Sequence, residues 1–362
     1  MNNLRGIIEE EAIRGDISFA RFMELVLYCP NIGYYEQLDV SPGRQGDFFT
    51  SVSVGSLFGE LLAFQFADWL VKLPAGGRQL VEAGAHDGRL ALDILNWLRQ
   101  HRPELLATLE YWIMEPSAKR RQSQEKTLGD WAKTVRWFDS WEAVPKPGVN
   151  GVIFSNELLD AMPVHRLGWD KLRREWFEWG VSVREGRFVW ARMPLAAGNS
   201  VVGAVAELPP ELLEVLPDGF TTEVNPAAVC WWQEAARTLG SGKLLGIDYG
   251  LAGEQFFVPE RKEGTARAYY RQHVSSDLLA RPGEQDITAQ VNFTAVQEAG
   301  EAEGLTTEAY QSQAQFLSGI AQRIEASGES FGAWSGKQAR QFQTLTHPEH
   351  LGRAFRVLLQ SR

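Results

Sequence analysis

The sequence predicts an α/β fold organised around a doubly wound, mainly parallel sheet, and two observations support this fold class. From residue 79 onwards, short apolar stretches alternate with segments that have helical periodicity. The apolar stretches are almost continuous, which is typical of strands buried on both faces by helices. Because strand–helix–strand connections are right-handed, this order favours the doubly wound arrangement.

The first 75 residues precede this pattern and predict helices. Apolar side chains recur at helical spacing in ISFARFMELVLYC (17–29) and again from Gly55 onwards. The glycine-punctuated stretch 30–53 between them is long for a simple connection. We therefore expect it to form a lid or a substrate loop.

The elements that follow form the predicted sheet. Strands are predicted at 79–83, 111–115, 135–139, 151–156 and 243–249, with helices at 89–100 and 117–128. Alternating stretches on either side of a Glu-Gly turn at 185–186 predict an antiparallel hairpin beside the core. In the tail, helices are predicted at 289–302 and 315–326, and an antiparallel strand pair at 306–313 and 355–361.

We expect four parts in the chain. They are an N-terminal helical segment with the lid loop (1–75), the first part of the core (76–165), an inserted β-hairpin and helical substrate module (166–235), and the remainder of the core (236–362).

The composition argues against several classes of protein. A formal net charge of −10, from 46 acidic and 36 basic residues, does not attract nucleic acid. No apolar run approaches the roughly 18 residues of a membrane helix, and the acidic N-terminus does not resemble a signal or transit peptide. The only cysteines, Cys29 and Cys230, are expected to be buried, without a disulfide or a thiolate metal site. We predict a cytoplasmic, reduced protein; the sequence does not indicate its oligomeric state.

The stretch LVEAGAHDGRLALDILNWL (80–98) contains the first candidate site. Glu82 ends an apolar strand, and Gly84 and Gly88 allow a tight turn into a helix whose N-terminus presents free N–H groups. The GxGxxG spacing is missing and His86 lies in the turn, which disfavours a nicotinamide-dependent oxidoreductase. An acid at the strand end suits a cationic ligand without phosphate, such as S-adenosyl-L-methionine. An ordinary strand–turn–helix connection is the structural alternative.

The next two strand ends add to this interpretation. Glu115 follows the second strand, about one strand–helix–strand unit after Glu82, where it could accept both ribose hydroxyls of an adenosine. Asp139 and Ser140 follow the third strand and could flank the adenine. Alone, a glutamate at a strand end is more often a solvated carboxylate or the acid at a helix start.

The segment VIFSNELLDAMPVHRL (152–167) contains the candidate catalytic residues. The strand delivers Asn156, Glu157 and Asp160 into the crevice beyond its end. Two carboxylates at this spacing could grip a guanidinium group and accept its departing proton, although a helix-start acid and a cap are the structural alternatives. Asp248 and Tyr249 end the fifth strand and border the same crevice.

Two histidines outside these segments, His347 and His350, have the spacing of one helical face. No third ligand accompanies them, so we expect a surface helix start and no metal site.

Many ordered segments resemble the MidA-like family of S-adenosylmethionine-dependent methyltransferases. They run from roughly Ile17 to the C-terminus and include SFARFMELVLYCPNIGYY, GRQGDFFTS, VEAGAHDGRLALDIL, MEPS, SNELLDAMPVHR, LLGIDYG, GTARAYYRQH and PGEQDITAQVNF. The resemblance implies a seven-stranded, Rossmann-like methyltransferase sheet, S-adenosyl-L-methionine as cofactor, and a protein substrate methylated on arginine. It also supports a lid position for Gly46 and Asp47. The family's mitochondrial member is needed for respiratory complex I assembly, which suggests by analogy a respiratory complex subunit as partner.

The chain departs from the family pattern at a few positions. His86 replaces the middle glycine of the first turn, Val52 and Ser53 replace Pro-Glu, and Gln290 and Asn292 replace a histidine and aspartate pattern. These departures motivate one alternative, a non-catalytic assembly or binding protein that retains the methyltransferase fold.

Overall fold

The computed structural model describes residues 4–37, 50–74, 77–195, 200–206, 208–271, 273–328 and 334–362. The predicted lid residues Gly46 and Asp47 lie outside these residues.

Helices and strands alternate along most of the described chain. The helices are α1 Leu4–Arg14, α2 Phe19–Tyr28, α3 Ser51–Val54, α4 Leu57–Val71, α5 Arg89–His101, α6 Pro103–Leu106, α7 Ala118–Leu128, α8 Ser200–Ala206, α9 Pro210–Val215, α10 Pro226–Thr238, α11 Phe293–Ala302, α12 Gln313–Ser327 and α13 Gly336–Thr346. The strands are β1 Ile17–Ser18, β2 Arg78–Ala83, β3 Leu109–Met114, β4 Val135–Phe138, β5 Val149–Asn156, β6 His165–Asp170, β7 Glu175–Arg184, β8 Arg187–Pro194, β9 Thr221–Val224, β10 Leu239–Leu251, β11 Arg267–Tyr270, β12 His273–Ser275, β13 Asp286–Thr288, β14 Val291–Asn292, β15 Thr306–Ser312 and β16 Phe355–Ser361.

A large central sheet organises the molecule. Its strand order is β15-β16-β10-β5-β2-β3-β4, with β14 paired to the end of β10. The five strands from β10 to β4 pair in parallel, whereas β16 is antiparallel to β10 and β15 is antiparallel to β16. The predicted α/β fold with a large central sheet, including the terminal antiparallel pair, is confirmed.

Helices cover both faces of this sheet because successive strand residues alternate between two cores. Leu80 and Val152 pack in the core that contains side chains of α4, α5 and α12. Their neighbours Val81 and Ile153 pack in a second core with side chains of α10 and α11. Strands buried on both faces need apolar residues at nearly every position, which explains the continuous apolar runs in the sequence.

An antiparallel sheet lies beside the core and is larger than the predicted hairpin. The hairpin β7–β8 is present, with Arg184 opposite Arg187 and positive φ angles at Glu185 and Gly186. β6 and β9 extend it on one side, and β1 of the N-terminal segment pairs with β7. A separate small sheet has the order β12-β11-β13. The division of the chain into four parts stays a prediction.

Three local predictions need correction. The helix expected at 289–302 begins only at Phe293, because the side chain of Asn292 caps it by accepting a hydrogen bond from the N–H of Ala295. His347 ends α13 instead of starting a helix, since its N–H donates to the carbonyl of Gln343. The cysteines are not buried: Cys29 is half-buried and Cys230 is exposed, because Cys230 lies on the outer face of α10.

Candidate active site

The carboxyl ends of the parallel strands meet at one edge of the central sheet. Ala83 of β2 lies between Met114 of β3 and Ser155 of β5, and Asn156 of β5 lies opposite Ile247 of β10. Acidic residues at these strand ends are therefore brought together by the sheet itself.

The turn after β2 depends on backbone conformations that favour glycine. Gly84 has a φ of 72° and Gly88 a φ of 86°, and a Cβ atom added to Gly84 would lie 2.8 Å from Cδ1 of Leu158. His86 has a φ of 47° between them, an uncommon conformation for a residue with a side chain. A glycine, which is usual in the family at this position, adopts a positive φ angle without this steric strain.

A cleft lies over this turn. Its lining includes Tyr35, Glu82, Gly84, His86, Asn156 and Glu157. Val52 also lines it, while Ser53 completes a capping box with Thr50 at the start of α3. Val52 and Ser53, which replace the Pro-Glu of the family, are therefore compatible with the start of α3.

Glu82 is a buried acid in the wall of the cleft. It is 3% exposed, and its Oε2 accepts a hydrogen bond of 2.6 Å from the hydroxyl of Tyr111. Burial raises its pKa to about 7. A cation bound in the cleft would lower this pKa and favour the carboxylate, so the position suits a positively charged ligand group.

Glu115 is already bonded through both of its carboxylate oxygens. Oε1 accepts the N–H of Ser117 at 3.0 Å, and Oε2 accepts the side-chain amide of Gln124 at 3.0 Å. Burial raises its pKa. Because each oxygen has a second lone pair, these bonds orient Glu115 and still leave acceptor capacity.

His86 is held against the helix α7. Its Nε2 lies 3.3 Å from Arg120 and its carbonyl accepts the amide of Gln124 at 3.2 Å. Burial, followed by the charge of Arg120, lowers the pKa of His86 to about 3, so the ring is neutral near neutral pH. Its Nδ1 is buried and has no hydrogen-bond partner among the residues that the structure describes.

Glu157 is fixed in one orientation at the end of β5. Its Oε1 accepts two hydrogen bonds of 3.0 Å, from the N–H of Ser51 and from the side-chain amide of Asn156. Its Oε2 is buried without a hydrogen-bond partner within the described ranges. Burial raises the pKa of Glu157 to about 8, and the charges of Asp248 and Asp286 add to this.

Asp248 supports the turn that carries Glu157. Its Oδ2 accepts the N–H groups of Leu158 and Leu159 at 3.1 and 2.8 Å, and its Oδ1 accepts that of Tyr249. Glu157 itself has a φ of 52° and donates its N–H to the carbonyl of Ile247. Strained residues of this kind are often found at functional sites.

Glu157, Asp160, Asp248 and Asp286 form a group of acids that we call the carboxylate cluster. Asp160 is 5% exposed and Asp286 is fully buried. Burial and then the charges of Asp248 and Asp286 raise the pKa of Asp160 well above its usual value, and Asp160 shares a hydrogen bond with Asp248. Such a cluster favours a bound cation, because each acid otherwise disfavours ionisation of the others.

Sequence reasoning missed the residues that loops bring to the site. Tyr35 donates a hydrogen bond of 2.7 Å to Oδ1 of Asp286, and its ring stacks on Tyr28 at 5.5 Å between ring centroids. The guanidinium Nε of Arg120 donates to the carbonyl of Tyr35 at 2.6 Å. In the sequence, Asp286 is marked only by its place in PGEQDITAQVNF. This segment resembles the methyltransferase family, but the resemblance predicts no role for Asp286.

Some predicted residues are not gathered into the cleft. Asp139 and Ser140 follow β4 and are exposed. Tyr249 lines a different cleft, which also contains Gln290. The described parts of the chain contain no group of three or more side chains suited to hold a metal ion. His347 and His350 therefore belong to no such group.

The residues around the first cleft fit an adenosyl ligand with a positive charge. Glu82 can face the charge, and the buried, unpartnered atoms His86 Nδ1 and Glu157 Oε2 border the same space. Glu115 follows the neighbouring strand β3 and is not among the residues that line this cleft.

Comparisons with known proteins show the family to which the chain belongs. A profile of the S-adenosyl-L-methionine-dependent methyltransferase family matches residues 61–311. The chain is similar to a protein from Burkholderia thailandensis whose crystal structure contains bound S-adenosyl-homocysteine, with 33% identity and a TM-score of 0.85. That alignment covers 99% of this chain and 92% of the other.

Curated relatives have more specific names. The mitochondrial protein arginine methyltransferase NDUFAF7 of Mus musculus is 28% identical over 97% of this chain and 82% of its own length. Its Drosophila melanogaster homolog, also named a mitochondrial protein arginine methyltransferase, is 29% identical over 80% of this chain and 68% of its own length.

These names contradict the predicted cytoplasmic location, because both relatives are named as mitochondrial. The prediction depended on the acidic first residues, and such a composition does not decide a compartment. Of the helices described, none has the length and apolar character needed to cross a lipid bilayer.

Proposed function

The chain belongs to the S-adenosyl-L-methionine-dependent methyltransferase family, and on this basis we propose that it methylates an arginine side chain of a protein substrate. Its cofactor is S-adenosyl-L-methionine, which when bound supplies an electrophilic methyl group on a sulfonium sulfur. Arginine as the acceptor is supported by the names of the curated relatives and by the carboxylate cluster.

The carboxylate cluster is the observation that favours arginine. A guanidinium group is a planar cation with five N–H donors, and it stays charged at any physiological pH. Glu157 Oε2 and Asn156 Oδ1 are buried acceptors without partners in the described chain, so both can receive these donors. Acids that repel one another when ionised become compatible when a guanidinium lies among them.

Glu157 is the proposed proton acceptor. Its Oε1 is held by Ser51 and Asn156, and its Oε2 has no hydrogen-bond partner in the described chain, so Oε2 can bond to a substrate. As the guanidinium nitrogen bonds to the methyl carbon, the methyl–sulfur bond of the cofactor would break and leave neutral S-adenosyl-homocysteine. The proton that the nitrogen loses would pass to Oε2 of Glu157. A pKa of about 8 in the free protein makes Glu157 a stronger base than an ordinary carboxylate.

The proposed cofactor residues act by binding and orientation. Glu82 faces the positive charge, Gly84 and Gly88 shape the turn, and Glu115 accepts the ribose hydroxyls. His86, neutral near neutral pH, narrows the cleft without adding a positive charge. Asp139 and Ser140 are proposed to flank the adenine from the exposed end of β4.

We also propose the finer predictions that the sequence makes. They are the Rossmann-like classification of the sheet, the four-part division of the chain, the lid role of Gly46 and Asp47, and a respiratory complex subunit as the substrate. Asp248 and Asp286 are proposed to position the acceptor group through the cluster.

Mass spectrometry of cell proteins methylated in the presence of the chain tests the proposed function. We expect new methylarginine with the wild type and with Glu125→Gln, a control on the exposed face of α7. Glu157→Gln should retain affinity for S-adenosyl-homocysteine in calorimetry and lose most methyl transfer. Methylation confined to lysine or another residue would contradict the arginine assignment. Binding of S-adenosyl-homocysteine without any methyl transfer by the wild type would favour a non-catalytic binding protein.

A further inference from the structure

We propose that a second cleft, beside the carboxylate cluster, binds an acidic side chain of the protein substrate near the target arginine, through Arg261 and Arg267. This inference depends on the proposed function and narrows its substrate class to arginines that have acidic neighbours.

The second cleft has a volume of about 190 Å³ and shares no lining residue with the first. Its lining includes Tyr249, Arg261, Arg267, Thr288, Ala289 and Gln290. Arg261 and Arg267 are both only half-buried, so their charges are accessible from this space.

Its wall is built by the same backbone that carries the carboxylate cluster. Tyr249 directly follows Asp248, and Thr288 lies two residues after Asp286. The N–H of Ala289 donates to the backbone carbonyl of Asp160 at 2.9 Å. A substrate segment with its arginine among the acids would therefore extend into the second cleft within a few residues.

Both arginines are anchored by backbone carbonyls and not by acids. Arg261 donates to the carbonyl of Gln255 at 2.7 Å, and Arg267 donates to that of Ala266 at 2.7 Å. Neither guanidinium has a carboxylate within ion-pair distance among the described residues. Each therefore keeps N–H donors for an external carboxylate, the anion that a guanidinium binds with paired hydrogen bonds.

A buried acceptor in the same cleft suits a peptide ligand. The side-chain oxygen of Gln290 is buried without a hydrogen-bond partner in the described parts of the chain. A backbone N–H of a bound segment can satisfy it, and a small inorganic anion cannot. The cleft thus offers donors for a carboxylate and an acceptor for an amide.

The net charge of the protein does not prevent this binding. The formal charge of −10 repels an acidic segment at a distance, but salt screens that repulsion beyond about 8 Å at physiological ionic strength. At contact, the two arginines offer positive charge, and the acids of the carboxylate cluster ionise more readily once a guanidinium lies among them. They complement a segment that carries an acid next to an arginine.

Fluorescence anisotropy with a matched peptide pair tests the proposal. Both labelled peptides have one central arginine, flanked on each side by aspartates in the first and by asparagines in the second. With S-adenosyl-homocysteine present, we expect the wild type to bind the aspartate peptide about tenfold more tightly or better. The double variant Arg261→Gln/Arg267→Gln should bind both peptides equally, whereas the control Arg184→Gln, on the exposed end of β7, should retain the preference.

Several outcomes distinguish the possibilities. Retained affinity for S-adenosyl-homocysteine would show that the double variant is folded. Equal binding of both peptides by the wild type, or an acidic preference that persists in the double variant, would overturn the proposal. Methyl transfer to the same peptides is measured in separate reactions that contain S-adenosyl-L-methionine. Preferential binding of the aspartate peptide by a wild type that never methylates arginine would support the cleft and overturn the proposed function.

Discussion

Replacing Glu157 by glutamine is expected to stabilise the protein, and to do so more strongly as the pH rises. Folding raises the pKa of Glu157 from 4.5 to about 8 through burial. Between these two values the folded protein binds more protons than the unfolded chain, so the free energy of unfolding falls as the pH rises. Glutamine cannot ionise, so position 157 no longer lowers the free energy of unfolding as the pH rises. The side-chain oxygen of glutamine can keep the hydrogen bonds from Ser51 and Asn156.

The magnitude follows from the pKa difference. One pKa unit corresponds to about 1.4 kcal/mol, and the largest part of the difference develops above pH 5. From about pH 6 to about pH 8, the free energy of unfolding of Glu157→Gln should gain about 2 kcal/mol over that of the wild type. This is an upper value, because the residue is only half-buried and borders the cleft. The amide nitrogen that replaces the unpartnered Oε2 adds a cost that does not depend on pH.

Urea denaturation followed by tryptophan fluorescence at both pH values measures this difference, above the sequence pI of about 5.3. Glu125→Gln, on the exposed face of α7, is the matched control and should show a difference that does not change with pH. A stability difference between Glu157→Gln and the wild type that stays constant, or shrinks with rising pH, would refute the raised pKa. It would also remove the reason to regard Glu157 as a strong base.

Three further predictions concern the cofactor and the chemistry. Glu115→Ala should weaken binding of S-adenosyl-homocysteine in calorimetry by about tenfold to a hundredfold, the cost of losing a hydrogen-bonded charge; unchanged affinity would mean that the ribose binds elsewhere. The kcat/KM of methyl transfer should rise with pH up to about 8, because only ionised Glu157 accepts the proton; a rate that falls over this range would exclude it as the base. Gly84→Ala should lower the free energy of unfolding by about 1–3 kcal/mol, since φ is 72° and its Cβ would lie 2.8 Å from Leu158 Cδ1; an unchanged denaturation midpoint would contradict this.

The central sheet could be predicted because its strands follow a simple rule. β2, β3 and β5 are buried on both faces, so each is an almost continuous apolar run that can be located to within two residues. Parallel strands also fix where their carboxyl ends meet. The closeness of Glu82 and Glu157 could therefore be predicted without any information on side-chain packing.

The rest of the site depends on contacts between distant segments. Tyr35 and Asp286 are 251 residues apart, and neither has a local pattern that indicates the hydrogen bond between them. The small sheet β12-β11-β13 has strands of three or four residues, too short for alternation to be recognised. His347 was misjudged because a histidine pair at helical spacing does not distinguish the start of a helix from its end.

The pairing of β1 with β7 has a consequence for synthesis on the ribosome. Ile17 finds its partner Val181 only after more than 160 further residues have been added. At about 5–20 residues per second, the nascent chain spends roughly 8 to 30 s with this partner missing. During that interval the apolar face of α2, which includes Phe19 and Phe22, lacks most of the surface that later buries it. We expect the emerging chain to need protection by chaperones, and slower translation before residue 181 to increase aggregation.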